Sequence, residues 1–210
     1  VNEGELRTCR RMYGPEDNRT MNAELNMANT LRRLGGAENL RCALHIMQRV
    51  HAVGVEAWGR DDEDALEAGA FLAVTLRNLG RLGAAERMLR DTVERRRRLW
   101  GAEHCQTIED QWLLAGVLVR QGKTDEARSM RDAVLPVSRR VLGPNHRVTQ
   151  ELGEPDFLDP SRYDSDTPDE LEDDPCSITC DACGRDDLAG ETLVLVDDAT
   201  NSDYCEACAA

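Results

Sequence analysis

Residues 58–101 read WGRDDEDALEAGAFLAVTLRNLGRLGAAERMLRDTVERRRRLWG, and this stretch decides the fold. Asp61 and Asp62 can cap a helix start, and apolar residues then recur at helical spacing. Gly80 ends that pattern, because glycine accepts the left-handed conformation found after a helix C-terminus. A second helical pattern follows and closes at Gly101. The stretch predicts two antiparallel helices joined by a tight turn.

The same hairpin recurs along the chain. Its closing glycine has equivalents 45, 42 and 42 residues apart, namely Gly14, Gly59, Gly101 and Gly143. Each period also contains an alanine, then a leucine three residues later, then a turn glycine four residues after that. The three sets are Ala28-Leu31-Gly35, Ala73-Leu76-Gly80 and Ala115-Leu118-Gly122. We therefore expect six antiparallel helices over 17–142, with turns at Gly35, Gly59, Gly80, Gly101 and Gly122. The last turns of a preceding helix are expected over 6–13 and the first turn of a following one over 146–152, and Pro136 should kink or restart its helix.

This pattern resembles the tetratricopeptide repeats of kinesin light chains and their relatives. The resemblance implies an all-α, right-handed helical-hairpin solenoid of about three repeats over residues 1–152, close to the minimum for a stable stack. It also implies a groove lined by the first helix of each hairpin. The candidate groove residues are Asn22, Asn26, Asn29, Arg32, Arg33, Arg77, Asn78, Trp112 and Arg120.

Arginines recur at one phase of these first helices, and their forked donors suit carboxylates. The expected ligand is an extended acidic peptide of a partner protein; a merely solvated helix face is the alternative. Relatives that clamp a terminal carboxylate use a Lys and Asn set, which is not reproduced here. Glu67, Phe71, Glu109 and Leu113 stand at its positions in the second and third hairpins.

Charge divides the chain into different segments. Residues 1–152 hold 24 basic and 22 acidic residues, whereas 153–210 hold 2 basic and 18 acidic residues. Residues 153–175, with ten acidic residues and four prolines, read as a flexible acidic linker. A further expectation is that this linker docks onto the basic groove of its own repeats.

Two C-x-x-C pairs, Cys180/Cys183 and Cys205/Cys208, follow within residues 176–210. Two such pairs are typical of tetrahedral zinc sites, and four thiolates leave no open position, so one structural Zn²⁺ is expected. The spacing resembles a reduced ZZ-type finger or a truncated MYND-like finger, which implies a small β-rich interaction module. Cys176 stays unassigned.

No constellation of catalytic residues is apparent, so we expect a non-enzymatic scaffold or adaptor. The stretch GVLVRQGKT (116–124) has five residues between its glycines rather than the four of a phosphate-binding loop. The run Arg95–Arg98 suits the end of a helix better than nucleic acid. No apolar run is long enough for a membrane helix and no secretory signal is seen, which predicts a cytoplasmic protein. The alternatives are a signalling or ubiquitin-pathway component, in which the finger makes the specific contact, and a non-catalytic fragment of a larger enzyme.

Overall fold

The computed structural model describes residues 3–14, 17–166, 194–196 and 202–204. Within them the helices are Glu3–Tyr13 (α1), Asn18–Leu34 (α2), Ala37–Trp58 (α3), Glu63–Asn78 (α4), Leu82–Trp100 (α5), Cys105–Arg120 (α6), Thr124–Val141 (α7) and Arg147–Gly153 (α8). A 3-10 helix spans Pro160–Asp166, and two short strands span Val194–Val196 (β1) and Ser202–Tyr204 (β2). The helices form a helical-hairpin solenoid, as the repeat predicts. None of the described helices is both long and apolar enough to cross a membrane.

The six helices expected over 17–142 are α2–α7, and the helices expected before and after them are α1 and α8. All five predicted turn glycines have positive φ, from 70° at Gly35 to 93° at Gly59. At Gly80 the turn is a Schellman motif, in which Arg81 N–H donates to the Leu76 carbonyl at 2.9 Å. The glycine pattern therefore placed the turns correctly.

Two compact units are distinguished, one containing Val1–Ala68 and the other Gly69–Thr167. In the first unit α1 packs on α2 and α2 on α3. Glu24 of α2 is buried there, and its carboxylate is paired with Arg10 at 2.8 Å and with Arg49. These two guanidinium groups offset the cost of removing that carboxylate from water.

In the second unit α6 is the central element, since α5, α7, α8 and the 3-10 helix all contact it. Its residues from Leu114 to Val119 are all buried. The small residues Ala73 of α4 and Ala85 of α5 are both 0% exposed.

Pro136 does not restart its helix, because α7 runs without interruption from Thr124 to Val141. Pro136 is exposed. Because proline has no N–H, the carbonyl four residues before Pro136 loses its usual helical donor, and on this exposed side of the helix water can donate to it.

The segment expected to be a flexible linker over 153–175 differs from that expectation in its first part. Residues 154–163 belong to the second unit, and Phe157 is only 1% exposed. Tyr163 donates a hydrogen bond to the Phe157 carbonyl at 3.1 Å. Two aromatic side chains therefore give this first part of the segment a defined structure.

The two strands form an antiparallel pair in which Val194 lies opposite Tyr204. The cysteines predicted to bind zinc, Cys180, Cys183, Cys205 and Cys208, lie outside the described residues, as does Cys176. Within the part of the chain that the structure describes, no cluster of His, Cys, Asp or Glu side chains could hold a metal ion.

Candidate peptide-binding surface

The candidate groove residues on α2 lie at the surface of the first unit. Asn22, Asn26 and Arg33 are exposed. Asn29 and Arg32 are half-buried and bonded to each other, with Arg32 Nη2 donating to Asn29 Oδ1 at 3.1 Å. All five side chains thus lie where a ligand along α2 could reach them.

Arg120, predicted to face a ligand, also makes a contact within the repeats. Its Nη1 donates to the carbonyl oxygen of Arg77 at 2.8 Å, and the neighbouring Gln121 Nε2 donates to the Leu82 carbonyl at 2.9 Å. Both bonds join the end of α6 to the α4–α5 turn. One arginine of the repeated pattern therefore donates to a backbone carbonyl at the end of α4.

A cleft of about 150 Å³ lies beside Trp112 and Gly116 of α6. Seven residues line this α6 cleft: Arg77, Trp112, Gly116, Arg147, Glu151, Arg162 and Tyr163. Arg77 and Trp112 were predicted as groove residues. The four that follow Gly116 in the chain were not predicted. The sequence feature that could have indicated two of them is the helix predicted to begin over 146–152. That helix is α8, and it contains Arg147 and Glu151.

The cleft combines positive charge with aromatic surface. Its lining holds three arginines and one glutamate. The Arg147 guanidinium carbon lies 5.2 Å from the centre of the Trp112 ring, and its Nε lies 2.7 Å from Glu151 Oε1. The Arg147 side chain is still 75% exposed. Its charge is therefore held in place by Trp112 and Glu151 and remains accessible from solvent.

Tyr163 forms one wall of the α6 cleft. A Cβ atom placed on Gly116 would lie 4.0 Å from Tyr163 Cε1, so the ring lies over the glycine. Burial raises the pKa of Tyr163 to about 12, although Arg162 nearby opposes the rise. The hydroxyl is thus neutral at ordinary pH and acts as a donor to Phe157.

The Arg95–Arg98 run divides into internal and surface residues. Arg95 Nε is paired with Asp91 at 2.8 Å on the surface of α5. Arg96 is buried, unlike the solvated last turn that the sequence suggests, and its Nη1 lies 3.0 Å from Asp110 Oδ2 of α6. Burial raises the pKa of Asp110 to about 7, and the positive charge of Arg96 opposes this rise. One of the four arginines is therefore part of the interior.

Comparison with known proteins gives one family. The model of a tetratricopeptide repeat matches residues 70–104 and 113–147. No curated protein matches the sequence. The matched segments cover about half of α4 with all of α5, and half of α6 with all of α7. Tetratricopeptide repeats are generally protein–protein interaction modules, and these two helical hairpins match that family.

Proposed function

We propose that this protein is a scaffold or adaptor whose repeats bind an extended acidic peptide of a partner protein. The observation that supports this best is the α6 cleft, which Arg77 of α4 and Arg147 of α8 line together with Trp112. The predicted residues on α2 are candidate ligand contacts of the first unit. The proposal assigns no catalytic step to the chain, and it places the protein in the cytoplasm.

The chemistry of the α6 cleft suits carboxylates on an extended backbone. Arginine can donate two parallel hydrogen bonds to one carboxylate, and such charge-assisted pairs are stronger than neutral hydrogen bonds. Arg147 is the best placed donor, since its side chain is 75% exposed while Trp112 and Glu151 hold it. Exposed pairs of this kind weaken with salt, because the screening length falls to about 8 Å at physiological ionic strength.

A peptide array tests this proposal. Twelve-residue peptides of acidic, neutral and basic composition are immobilised, and retention of the intact chain is measured at low and high salt. We expect retention on acidic peptides, weakened by salt and reduced about tenfold by Arg147→Gln. The matched control is Arg128→Gln, an exposed arginine of α7 outside the cleft lining. Equal retention on all compositions, or equal loss in the two variants, would contradict the proposal.

We also propose a second interaction module in which Cys180, Cys183, Cys205 and Cys208 hold one structural Zn²⁺. Four thiolates are a suitable donor set for tetrahedral zinc. The antiparallel pairing of β1 and β2 supports the assignment, because it brings the chain entering β1 and the chain leaving β2 to the same end. Cys205 directly follows β2.

Elemental analysis of the chain purified under reducing conditions tests the zinc site. One zinc per chain is expected, and Cys205→Ser should abolish it. Cys105→Ser, which replaces an exposed free cysteine of α6, is the control and should keep the metal. A wild-type chain without zinc would refute the site and leave the peptide proposal intact.

A further inference from the structure

Residues 154–166, which follow α8, form a defined segment that we name the strap. Its backbone closes successive turns, with Phe157 N–H donating to the Glu154 carbonyl at 3.2 Å and Asp159 N–H to the Asp156 carbonyl at 2.9 Å. Arg162 N–H donates in the same way to the Asp159 carbonyl at 3.2 Å. The strap is therefore ordered by its own hydrogen bonds as far as the 3-10 helix.

Three carboxylates of the strap, those of Glu154, Asp156 and Asp159, are bonded within the strap. Arg162 Nη1 contacts Glu154 and lies 2.8 Å from Asp156 Oδ1. Asp159 Oδ1 accepts from the Ser161 N–H at 3.0 Å and from its hydroxyl at 2.8 Å. Attraction between an acidic linker and a basic groove is thus not the main reason that this segment lies where it does.

The aromatic residues of the strap make the contacts with the repeats. Phe157 is 1% exposed, and Tyr163 lies over Gly116 in the middle of α6. A glycine inside a helix costs about 0.5–1 kcal/mol relative to alanine. At this position the absence of a large side chain leaves room for the Tyr163 ring. The strap therefore docks through buried aromatic surface, an interaction that salt does not screen.

The docked strap leaves little room for an extended ligand across α6. The α6 cleft beside Tyr163 measures about 150 Å³, below the range of about 300–1,000 Å³ that is usual for a small-molecule pocket. That volume admits one side chain. A peptide backbone running along α6 would meet the Tyr163 ring at Gly116.

We infer that the strap is the resident occupant of the cleft side of α6, the side with Trp112 and Gly116, that Tyr163 anchors it on Gly116, and that a partner peptide must displace it. This inference rests on the proposed function of the repeats. An attached segment competes at an effective concentration near millimolar when its connection is short. If the free segment bound with a Kd of about 100 µM, it would weaken a competitor about tenfold.

The test uses a synthetic peptide of residues 154–166, labelled with a fluorophore and added to the full chain. Fluorescence anisotropy measures its affinity for the wild type and for Tyr163→Ala. We expect binding to Tyr163→Ala to be at least tenfold tighter, because the resident strap has lost its anchor. Tyr163→Phe, which keeps the ring and loses only the bond to Phe157, should change the affinity less than about threefold.

A second variant shows whether the peptide binds at Gly116. The double variant Tyr163→Ala/Gly116→Leu fills the place of the ring with a helix-forming side chain, so the peptide should no longer bind. Binding of the peptide should also be insensitive to salt. Equal affinity for the wild type and Tyr163→Ala, or undiminished binding to the double variant, would overturn the inference.

Hydrogen exchange on the unmodified chain gives a readout that needs no variant to fold. The amides of Phe157, Asp159 and Arg162 should be protected in the free protein, since each is hydrogen-bonded within the strap. Rapid exchange at all three would also overturn the inference. If it fails while acidic array peptides are still retained through Arg147, the proposed function stands without a resident strap.

Discussion

The two sides of α6 have different roles. One side stabilises the fold, and the other lines the cleft where the strap lies and where we propose that a ligand binds. Towards α5, Asp110 is buried with Arg96, and the side chains of the pair are 2% and 4% exposed. Towards the cleft, Trp112 is half-buried and Gly116 is covered by Tyr163 from the strap. Changes on the α5 side should therefore alter the free energy of unfolding, and changes on the cleft side should alter what the surface binds.

The largest effect is expected from breaking the Arg96–Asp110 pair. Arg96→Met leaves the Asp110 carboxylate buried without its counter-charge, which should lower the free energy of unfolding at neutral pH by about 3–5 kcal/mol. Replacing both, Arg96→Met with Asp110→Leu, should restore stability to within about 1 kcal/mol of the wild type, because no buried charge then remains. Urea unfolding followed by circular dichroism measures both.

The exposed pair Arg140–Glu103, with both side chains 63% exposed, is the control for burial. Arg140→Gln should cost less than about 1 kcal/mol. If Arg96→Met costs no more than Arg140→Gln, the buried pair does not have the structural role assigned to it.

The pH dependence of stability should have a component from Asp110. Its folded-state pKa is raised from the ordinary 3.8 to about 7, so the folded state binds the proton more tightly than the unfolded state. The free energy of unfolding should therefore fall as pH rises from about 4 to about 7, and this component should be missing in Asp110→Asn. Glu86 is the matched control: Lys123 and Arg90 lower its pKa to about 2, so its contribution is already complete above about pH 4.5. A slope that survives in Asp110→Asn and disappears in Glu86→Gln would reverse this assignment.

The sequence predicted the framework of α6 and its neighbours because that framework depends on local signals. Turn glycines, alanines at close contacts and a helical apolar period act within a few residues of one another. The pairing of Arg96 with Asp110 depends on packing between helices, so a run of four arginines gave no sign of it. The contact of Arg120 with the Arg77 carbonyl spans 43 positions and was equally hidden.

The strap was missed for a different reason. A prediction from composition counts all residues alike, and residues 153–175 contain ten acidic residues and four prolines. Folding depends instead on whether a few apolar side chains find a surface, which Phe157 and Tyr163 do. The preceding start of α8 was predicted, and it brings the chain to that surface.

Titration of Tyr163 tests the cleft side of α6 directly. Tyrosinate absorbance should show a component near pH 12, because burial raises the Tyr163 pKa above its ordinary value of 10. That component should disappear in Tyr163→Phe and shift to about 10 in Gly116→Leu, where the ring is displaced. Since the folded-state pKa is raised, the stability contributed by the docked ring is complete below pH 10 and is lost as pH rises towards 12. A Gly116→Leu chain that keeps the component near pH 12 would show that Tyr163 is buried against something other than α6.

The smallest effect should come from Gly116→Ala, which separates the need for a glycine from the need for a small residue. The new Cβ would lie 4.0 Å from Tyr163 Cε1, an ordinary van der Waals contact, so the ring need not move. Gly116 lies inside α6 and no positive φ is recorded there, so alanine also fits the backbone. Alanine is the better helix former, so the free energy of unfolding measured in urea should rise by about 0.5–1 kcal/mol. The affinity for the strap peptide should stay as low as in the wild type. Gly80→Ala is the contrasting variant, because its φ of 72° strains any side chain and should make that substitution destabilising. If Gly116→Ala instead destabilised the chain or opened the cleft to the peptide, the Tyr163 ring would need the full space of a glycine, and the docking would depend on a closer fit than a 4.0 Å contact provides.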